Sequence, residues 1–571
     1  MRIIWNERSL MRDGVELSCD VYLPEDSPGP WPTLLHRTPY DNQITLLREQ
    51  AERFGAAGYA VVLQDVRGRH DSDGTFLPFL NEAKDGHDTV EWIAAQTWST
   101  GKVGMFGGSY AAYVQWLTAR ERAPHLSAIA PSGVSMRPME DAPWVHGKFR
   151  PHWIYWLHIT SGRDNHDAIW GAGTPTPIDF REIRVRRPLA DADIAIGNTK
   201  TQWREWLAHN TQDAYWEPVV MDGHFERIDV PALHITGWHD GLHRGAVEHL
   251  WRHMRDESPA AERQVLIAGP WTHAGTRRPE REVGELDFGH TAPLDMDGVL
   301  IAWFDRWLKG EQNETSDWPT ARVFCMGRNQ WLSLADLPDP RTEQRSFFLA
   351  ADGGLAAEPG DDGSDEYVYD PSPGVVADAV AQVMLDWGKV AARPSRTDEL
   401  IYETAPLSEE LVVAGSPRVE LWAASDVEDT DFFAVVEDVH PDGRSYRIGY
   451  AALRVTHRES LVEPTSIEPG KPYLLELSVS PSCIAVPPGH RLRVVICSAM
   501  PGQHDINPNT GAPAGDDLPC RPARQQVLHG AAHPSRLIVP TLCSATVDAA
   551  HEPGVGVLAP FEPAAFVEGG L

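Results

Sequence analysis

The chain has 571 residues, 42 % hydrophobic and 23 % charged, which is ordinary for a globular protein and too long for one core, so two or three domains are expected. Its formal charge of −32 argues against nucleic acid as a partner, because phosphates would be repelled over most of the surface. No apolar run approaches the roughly 18 residues of a membrane span, and MRIIWNERSLMRDG lacks a signal-peptide core; no membrane association and a cytoplasmic location are expected.

Residues 1–140 alternate short apolar runs with helical patterns. WPTLLHRTPY and YAVVLQDVRG have the look of buried strands ending in polar loops. EAKDGHDTVEWIAAQ has helical spacing, with Val90, Ile93 and Ala94 on one side. KVGMFGGSY is a short strand, and AAYVQWLTARER after it is again helical, an order that indicates βαβ units and a largely parallel sheet. Residues 141–225 break this rhythm and hold Trp144, Trp153, Trp156, Trp170, Trp203, Trp206 and Trp216, which suits a helical insertion. Residues 226–320 resume it, through VPALHITGWHD, GAVEHLWRHMRD, RQVLIAGPW and VLIAWFDRWLKG. From 321 to 571 helical periodicity fades and runs such as RVEL, DFFAVVEDV and HRLRVVICS follow one another between Pro, Gly and Asp, the texture of an antiparallel sandwich or jelly roll. GDDGSDEYVYDPSPG reads as an acidic, exposed connection. The expected fold class is therefore α/β: a core with an inserted helical cap and a C-terminal β-sandwich.

Within the core, Gly107-Gly108-Ser109-Tyr110-Ala111 places a serine between small residues where a strand runs into a helix, the pattern of a nucleophile elbow. Such a turn aims the hydroxyl off the sheet and sets the next backbone N–H, that of Tyr110, beside the helix N-terminus where an oxyanion can be held. A serine needs a base and the base an orienting acid, in chain order Ser, acid, His. Asp240 ends the strand-like LHITGWHD, and His273 follows the strand QVLIAGPW. His239 and His243 compete as bases and Asp222 and Asp229 as acids; chain order and strand ends favour Asp240 and His273. The six cysteines (Cys19, Cys325, Cys483, Cys497, Cys520, Cys543) form no CxxC pair and have no interleaved histidines at zinc spacing, so no metal or cofactor is expected.

The runs DVRGRHDSDGTF and EAKDGHDTVEWIAAQTWSTGKVGMFGGSYAAYVQW, with TGWHD, GPWTHAG, TAPLSEELVVAGSPRVELW and HDINPNTG, resemble the cocaine esterase/X-prolyl dipeptidyl-peptidase (S15) family over nearly the whole chain. The resemblance implies an α/β-hydrolase core, a helical cap and a C-terminal jelly roll. It puts the nucleophile on Ser109, the acid on Asp240 and the base on His273. It also makes Tyr40, in Arg37-Thr38-Pro39-Tyr40, an oxyanion donor beside the Tyr110 N–H.

Substrate choice lies with the pocket rather than the fold. Trp144, Trp153 and Trp156 of the cap, with Trp238 and Trp271 beside the acid and base, suggest an aromatic-lined pocket for a bulky or aromatic acyl group. Hydrolysis of a small-molecule carboxylic ester through an acyl-enzyme is the first expectation. The alternatives are X-Pro or α-amino-acid ester and amide hydrolysis, acyl transfer with the same triad, and a non-catalytic binding protein. An α-amino substrate needs carboxylates around its ammonium, for which Glu140, Asp141, Asp164, Asp167 and Asp213 are available. The C-terminal sandwich is expected to buttress the core and to shape the site or a homodimer interface.

Overall fold

The computed structural model describes residues 1–163, 178–373 and 388–550. Its main sheet consists of β1 (Arg2–Leu10), β2 (Glu16–Leu23), β3 (Trp31–Thr38), β4 (Ala60–Asp65), β5 (Ser99–Gly108), β6 (Leu126–Ser132), β7 (Ala232–His239), β8 (Gln264–Thr272), β9 (Ala321–Cys325) and β10 (Gln330–Leu334). The strands lie in the order β1-β2-β4-β3-β5-β6-β7-β8-β9-β10. From β4 to β9 neighbours are parallel; β1, β2 and β10 join antiparallel. Every residue of β4 and β7 is buried, as a parallel sheet covered on both faces requires.

The cover comes from helices α1 (Thr45–Ala56), α2 (Glu82–Ala94) and α3 (Tyr110–Arg120), and from Met296–Phe304. Successive strand residues point to opposite faces, and the core divides accordingly. Leu35 and Val62 pack with Val90 and Ile93 of α2 and Val114 and Leu117 of α3. Leu34 and Val61 pack on the other side with Leu47, Ala51 and Phe54 of α1 and with Val299 and Trp303.

Between β6 and β7 the chain makes a small hairpin (Trp144–Val145 with Lys148–Phe149), then α4 (Trp153–Ile159) and the short helices Phe180–Ile183, Ala192–Ala195 and Trp203–Ala208. This is the inserted helical cap, and its Trp144, Trp203, Trp206 and Trp216 are buried in the same apolar layer as α2 and α3. Beyond β10 comes an all-β domain of two sheets, one of nine strands and one of five. β9 and β10 lie in the segment 321–571 yet complete the main sheet, so hydrogen bonding runs across residue 320.

Two features of the all-β domain depart from the sequence patterns. Gly363–Tyr369, in the stretch expected to be a connection, is a strand paired with Ala523–His529 at the rim of the nine-stranded sheet. Among the described residues no strand pairs with its other side, where its acidic residues discourage further strand addition. Asp431–Val439 is buried on both faces and so shows no alternation. On one of them Phe433 and Val435 meet Val145 of the cap and Met500.

Polar ties hold cap and all-β domain together as well. Lys148 pairs with Asp431, and Arg454 bridges Asp431 at 3.0 Å and Asp505 at 3.0 Å. The Phe149 N–H donates to the Asp505 side chain at 2.8 Å and the Asp505 N–H to the Phe149 carbonyl at 2.8 Å. A second seam joins Arg187 to Asp517 at 2.8 Å and the Ala190 N–H to the Gly515 carbonyl at 3.0 Å.

Candidate active site

The elbow follows from three small residues. Ser109 stands at φ 59 and ψ −124, a strained backbone for a side-chain-bearing residue. Gly107 has φ 124, and a Cβ there would lie 2.6 Å from the His36 ring and 2.8 Å from the Ala111 Cβ. One methyl group fits across the turn, therefore, but not two. A Cβ on Gly108 would strike Ser132 Oγ at 2.5 Å and Arg277 Nη1 at 2.6 Å. The Ser109 N–H donates to the Ser132 carbonyl at 2.9 Å, and α3 starts at once, with the Ala112 and Tyr113 N–H groups donating to the Ser109 carbonyl at 2.9 and 3.1 Å.

Asp240 follows directly on β7, and His273 follows β8, the next strand of the sheet. His273 Nδ1 lies 3.0 Å from Asp240 Oδ1, which also accepts the Leu242 N–H at 3.0 Å. The Thr276 hydroxyl donates to the His273 carbonyl at 2.9 Å and steadies the loop. Burial pushes the Asp240 carboxyl up, but the His273 charge and hydrogen bond, with the Leu242 N–H, outweigh it and hold the carboxyl below the usual aspartate range. An ionised Asp240 accepts from Nδ1–H and leaves Nε2 as the basic nitrogen. His273 is 38 % exposed and borders the cavity together with Ser109.

The competing residues are engaged elsewhere. His239 Nδ1 donates to the Pro270 carbonyl at 2.7 Å while Nε2 meets the Tyr446 hydroxyl at 2.9 Å, and burial lowers its pKa to about 4. His243 Nδ1 bonds the Asp240 carbonyl. Asp222 pairs with His249 at 3.0 Å and Asp229 with Arg263.

Tyr40 sits two residues beyond β3 and hydrogen-bonds the Ser109 side chain. Its oxygen accepts the Trp156 Nε1–H at 2.8 Å, so the phenol proton is left for another acceptor. Burial raises the Tyr40 pKa, which keeps it a donor. The Tyr110 side chain is a structural post: its hydroxyl donates to Glu82 at 2.7 Å and accepts the Phe79 N–H at 3.0 Å, and Glu82 pairs with Arg37 at 2.9 Å beneath it. Phe79, Tyr110 and Trp156 stack, with interplanar angles of 7° for Phe79–Trp156 and 23° for Phe79–Tyr110. The cap is thereby docked on the first turn of α3, next to Ser109.

A cavity of about 550 Å³ opens above Ser109. Of the tryptophans expected in it, Trp153 and Trp156 line it; Trp144, Trp238 and Trp271 do not. Trp144 packs on Phe149, the Trp238 indole N–H donates to the Phe324 carbonyl at 2.7 Å, and the Trp271 N–H donates to the Ala292 carbonyl at 3.0 Å, all three rings buried in the core. The other aromatic walls are Phe79, Tyr113, Tyr155 and Tyr450. Sequence reasoning missed the arginines: Arg150 and Arg184 of the cap and Arg447 of the all-β domain face the cavity, and Gln503 joins them near the HDINPNTG segment. Of the carboxylates expected to hold an ammonium, those described have partners elsewhere. Glu140 and Asp141 pair with Arg137 at 2.7 and 3.0 Å, Asp213 pairs with His209 at 2.6 Å, and Asp164 and Asp167 lie outside the described residues.

Two further groups, Asp222–His249–His253 and Asp438–His440–His490, bring potential metal-ligating atoms within 4.8 Å of one another. Neither borders the cavity, and each contains an internal His–Asp hydrogen bond, at 3.0 and 2.8 Å. Among the described residues no helix is long and apolar enough to cross a membrane.

Comparison with known proteins agrees with this architecture. Residues 13–275 match the model of the X-Pro dipeptidyl-peptidase (S15) family, and residues 313–538 the X-Pro dipeptidyl-peptidase C-terminal non-catalytic domain. The chain is 32 % identical to the cocaine esterase of Rhodococcus sp. (strain MB1 Bresler), over 93 % of this chain and 97 % of that one. Among solved structures, an α-amino acid ester hydrolase superposes with a TM-score of 0.80 at 26 % identity, covering 95 % of this chain and 96 % of that one. An aminopeptidase from a marine sediment archaeon, Thaumarchaeota archaeon, gives 0.80 at 25 % identity, covering 94 % and 96 %. With this similarity running through both the α/β core and the all-β domain, the chain belongs to the cocaine esterase/X-prolyl dipeptidyl-peptidase (S15) family of α/β-hydrolases and is a hydrolytic enzyme of that family.

Proposed function

We propose that the protein is a carboxylic-ester hydrolase acting by two-step acyl transfer, with Ser109 as nucleophile, His273 as general base and acid, and Asp240 as the group that orients it. The 3.0 Å hydrogen bond between Asp240 and His273 at the mouth of the Ser109 cavity carries this reading. His273 Nε2 takes the Ser109 proton as Oγ bonds to the carbonyl carbon. The carbonyl π electrons move to oxygen, which is met by the Tyr40 O–H and the Tyr110 N–H. Collapse breaks the bond to the leaving oxygen, which departs as an alcohol with the proton from His273. Water, deprotonated by the same imidazole, then releases the acid and restores Ser109.

Trp156 supports Tyr40 as an oxyanion donor, since its N–H occupies the phenol oxygen and directs the phenol proton elsewhere. Removing that donor in Tyr40→Phe is expected to lower kcat by about 10²–10³ with a smaller change in KM. Steady-state kinetics on p-nitrophenyl butyrate decide it, and a variant with full kcat would take Tyr40 out of the mechanism. The aromatic walls suit a bulky acyl group, and a panel of p-nitrophenyl acyl esters, a benzoate ester, an X-Pro-nitroanilide and an α-amino acid ester tests the reaction class. Ester turnover lost in Ser109→Ala is the expected outcome; preferred cleavage of the X-Pro amide would favour the peptidase alternative. All six cysteines are free thiols, which suits a reducing compartment, and we place the reaction in the cytoplasm.

A further inference from the structure

The charge of the cavity runs against that of the chain. In a protein with a formal charge of −32, Arg150, Arg184 and Arg447 line the catalytic cavity, and among its described lining residues Asp240, already bonded to His273, is the one carboxylate. Several buried arginines elsewhere have acidic partners: Arg37 has Glu82, Arg137 has Glu140 and Asp141, and Arg393 has Glu399 and Glu437.

Arg150 and Arg184 differ from these. Arg150 Nη1 donates to the Asp141 and Gly241 carbonyls at 3.0 and 3.1 Å, while its Nε is buried with no hydrogen-bond partner. Gly241, beside the triad acid, leaves room for it: a Cβ there would stand 2.8 Å from Arg150 Nη2. Arg184, closing the helix Phe180–Ile183, also has a buried Nε without a partner. His152 lines the same cavity. Burial, then the charges of Arg150, Arg184 and His273, push its pKa well below the ordinary histidine value. With three arginines in the cavity wall and Asp240 the one carboxylate among its described lining residues, the site suits an anion. Desolvating a guanidinium without a counter-charge costs free energy that an entering anion offsets.

We propose that the enzyme's substrates are esters bearing a carboxylate, held by Arg150 and Arg184 beside the Ser109–His273 pair. The inference rests on the ester-hydrolase reading above and adds the substrate class. A charge-free or cationic ester would leave both guanidiniums without a carboxylate partner among the described residues.

The test compares kcat/KM for two pairs of esters. Mono-p-nitrophenyl glutarate against p-nitrophenyl butyrate places the carboxylate on the acyl side; 4-acetoxybenzoate against phenyl acetate places it on the leaving side. The expected result is a preference of about tenfold or more for the anionic member of at least one pair, and which pair shows it tells the side. In Arg184→Gln and Arg150→Gln that ratio is expected to drop about 10- to 100-fold, chiefly through KM, with Arg184→Lys retaining part of it. Wild-type enzyme gives a readout independent of the variants: free glutarate should inhibit turnover of the neutral ester competitively, and glutaramide should not. Equal kcat/KM within both pairs, or inhibition by glutarate no stronger than by glutaramide, would overturn the proposal while leaving ester hydrolysis standing. Failure to turn over any of the four esters, with Ser109 inert to a fluorophosphonate, would overturn the ester-hydrolase reading itself.

Discussion

Replacing Ser109 with alanine is expected to lower kcat on p-nitrophenyl esters by on the order of 10⁶ while leaving the fold intact. Alanine occupies the same volume at φ 59, and the backbone contacts that define the elbow, from the Ser109 N–H to Ser132 and from α3 to the Ser109 carbonyl, do not involve the hydroxyl. What is lost is the atom that forms the acyl-enzyme. The oxyanion donors and the cavity remain, so a small residual rate above that of water is expected. Kinetics alone leave room for contaminating esterase, so the decisive companion is mass spectrometry after fluorophosphonate treatment, with an adduct on the peptide holding Ser109 in the wild type and none in the variant. Rates within about tenfold of each other would move the nucleophile to another residue.

The second large effect is expected from Asp240→Asn, a loss of about 10⁴ in kcat with little change in size or shape. An asparagine oxygen can still accept the Leu242 N–H that Asp240 Oδ1 accepts at 3.0 Å. That oxygen is also the one His273 Nδ1 meets at 3.0 Å, so the orienting bond can persist, but a neutral amide does not stabilise the imidazolium that forms when His273 takes the Ser109 proton. The substitution also has a stability signature. The Asp240 carboxyl is held below its ordinary value, so ionised Asp240 adds stability that is present above about pH 4, the unfolded range, and is withdrawn as pH falls through the lower folded value. Chemical denaturation at pH 7 and at pH 3 should show that difference in the wild type and its removal in the variant. A kcat within tenfold of wild type would assign the orienting role to another group.

What the sequence makes legible here is whatever one strand and its end determine. The elbow is spelled by adjacent residues, because a turn too tight for two methyl groups must write Gly107 and Ala111 around Ser109. Asp240 and His273 stand where strands stop. The tryptophans were another matter. Trp238 and Trp271 are close to the acid and base along the chain, yet each indole N–H is satisfied by a carbonyl inside the core, and chain proximity does not say which way a ring turns. Trp156 is the reverse case, a cap residue whose N–H reaches a phenol 116 residues away in the chain. Arg150, Arg184 and Arg447 come from two irregular segments and a distant strand, and no periodicity joins them. The strand Gly363–Tyr369 was hidden by its composition, since a rim strand with one wet face is written in the same acidic residues as a loop.

The bonds between cap and all-β domain bear on how this substrate range could change. Lys148, Phe149, Arg187 and Ala190 fasten the described part of the cap to Asp431, Asp505, Gly515 and Asp517. Arg447, Tyr450, Gly502 and Gln503 bring the same distant domain to the cavity wall. A domain whose family description is non-catalytic thus supplies part of the cavity wall, while Ser109, Asp240 and His273 sit at strand ends of the α/β core. Substitutions there can retune which acids and alcohols are admitted without disturbing the strand ends that hold Ser109, Asp240 and His273, giving drift or directed evolution a region in which specificity and chemistry vary independently.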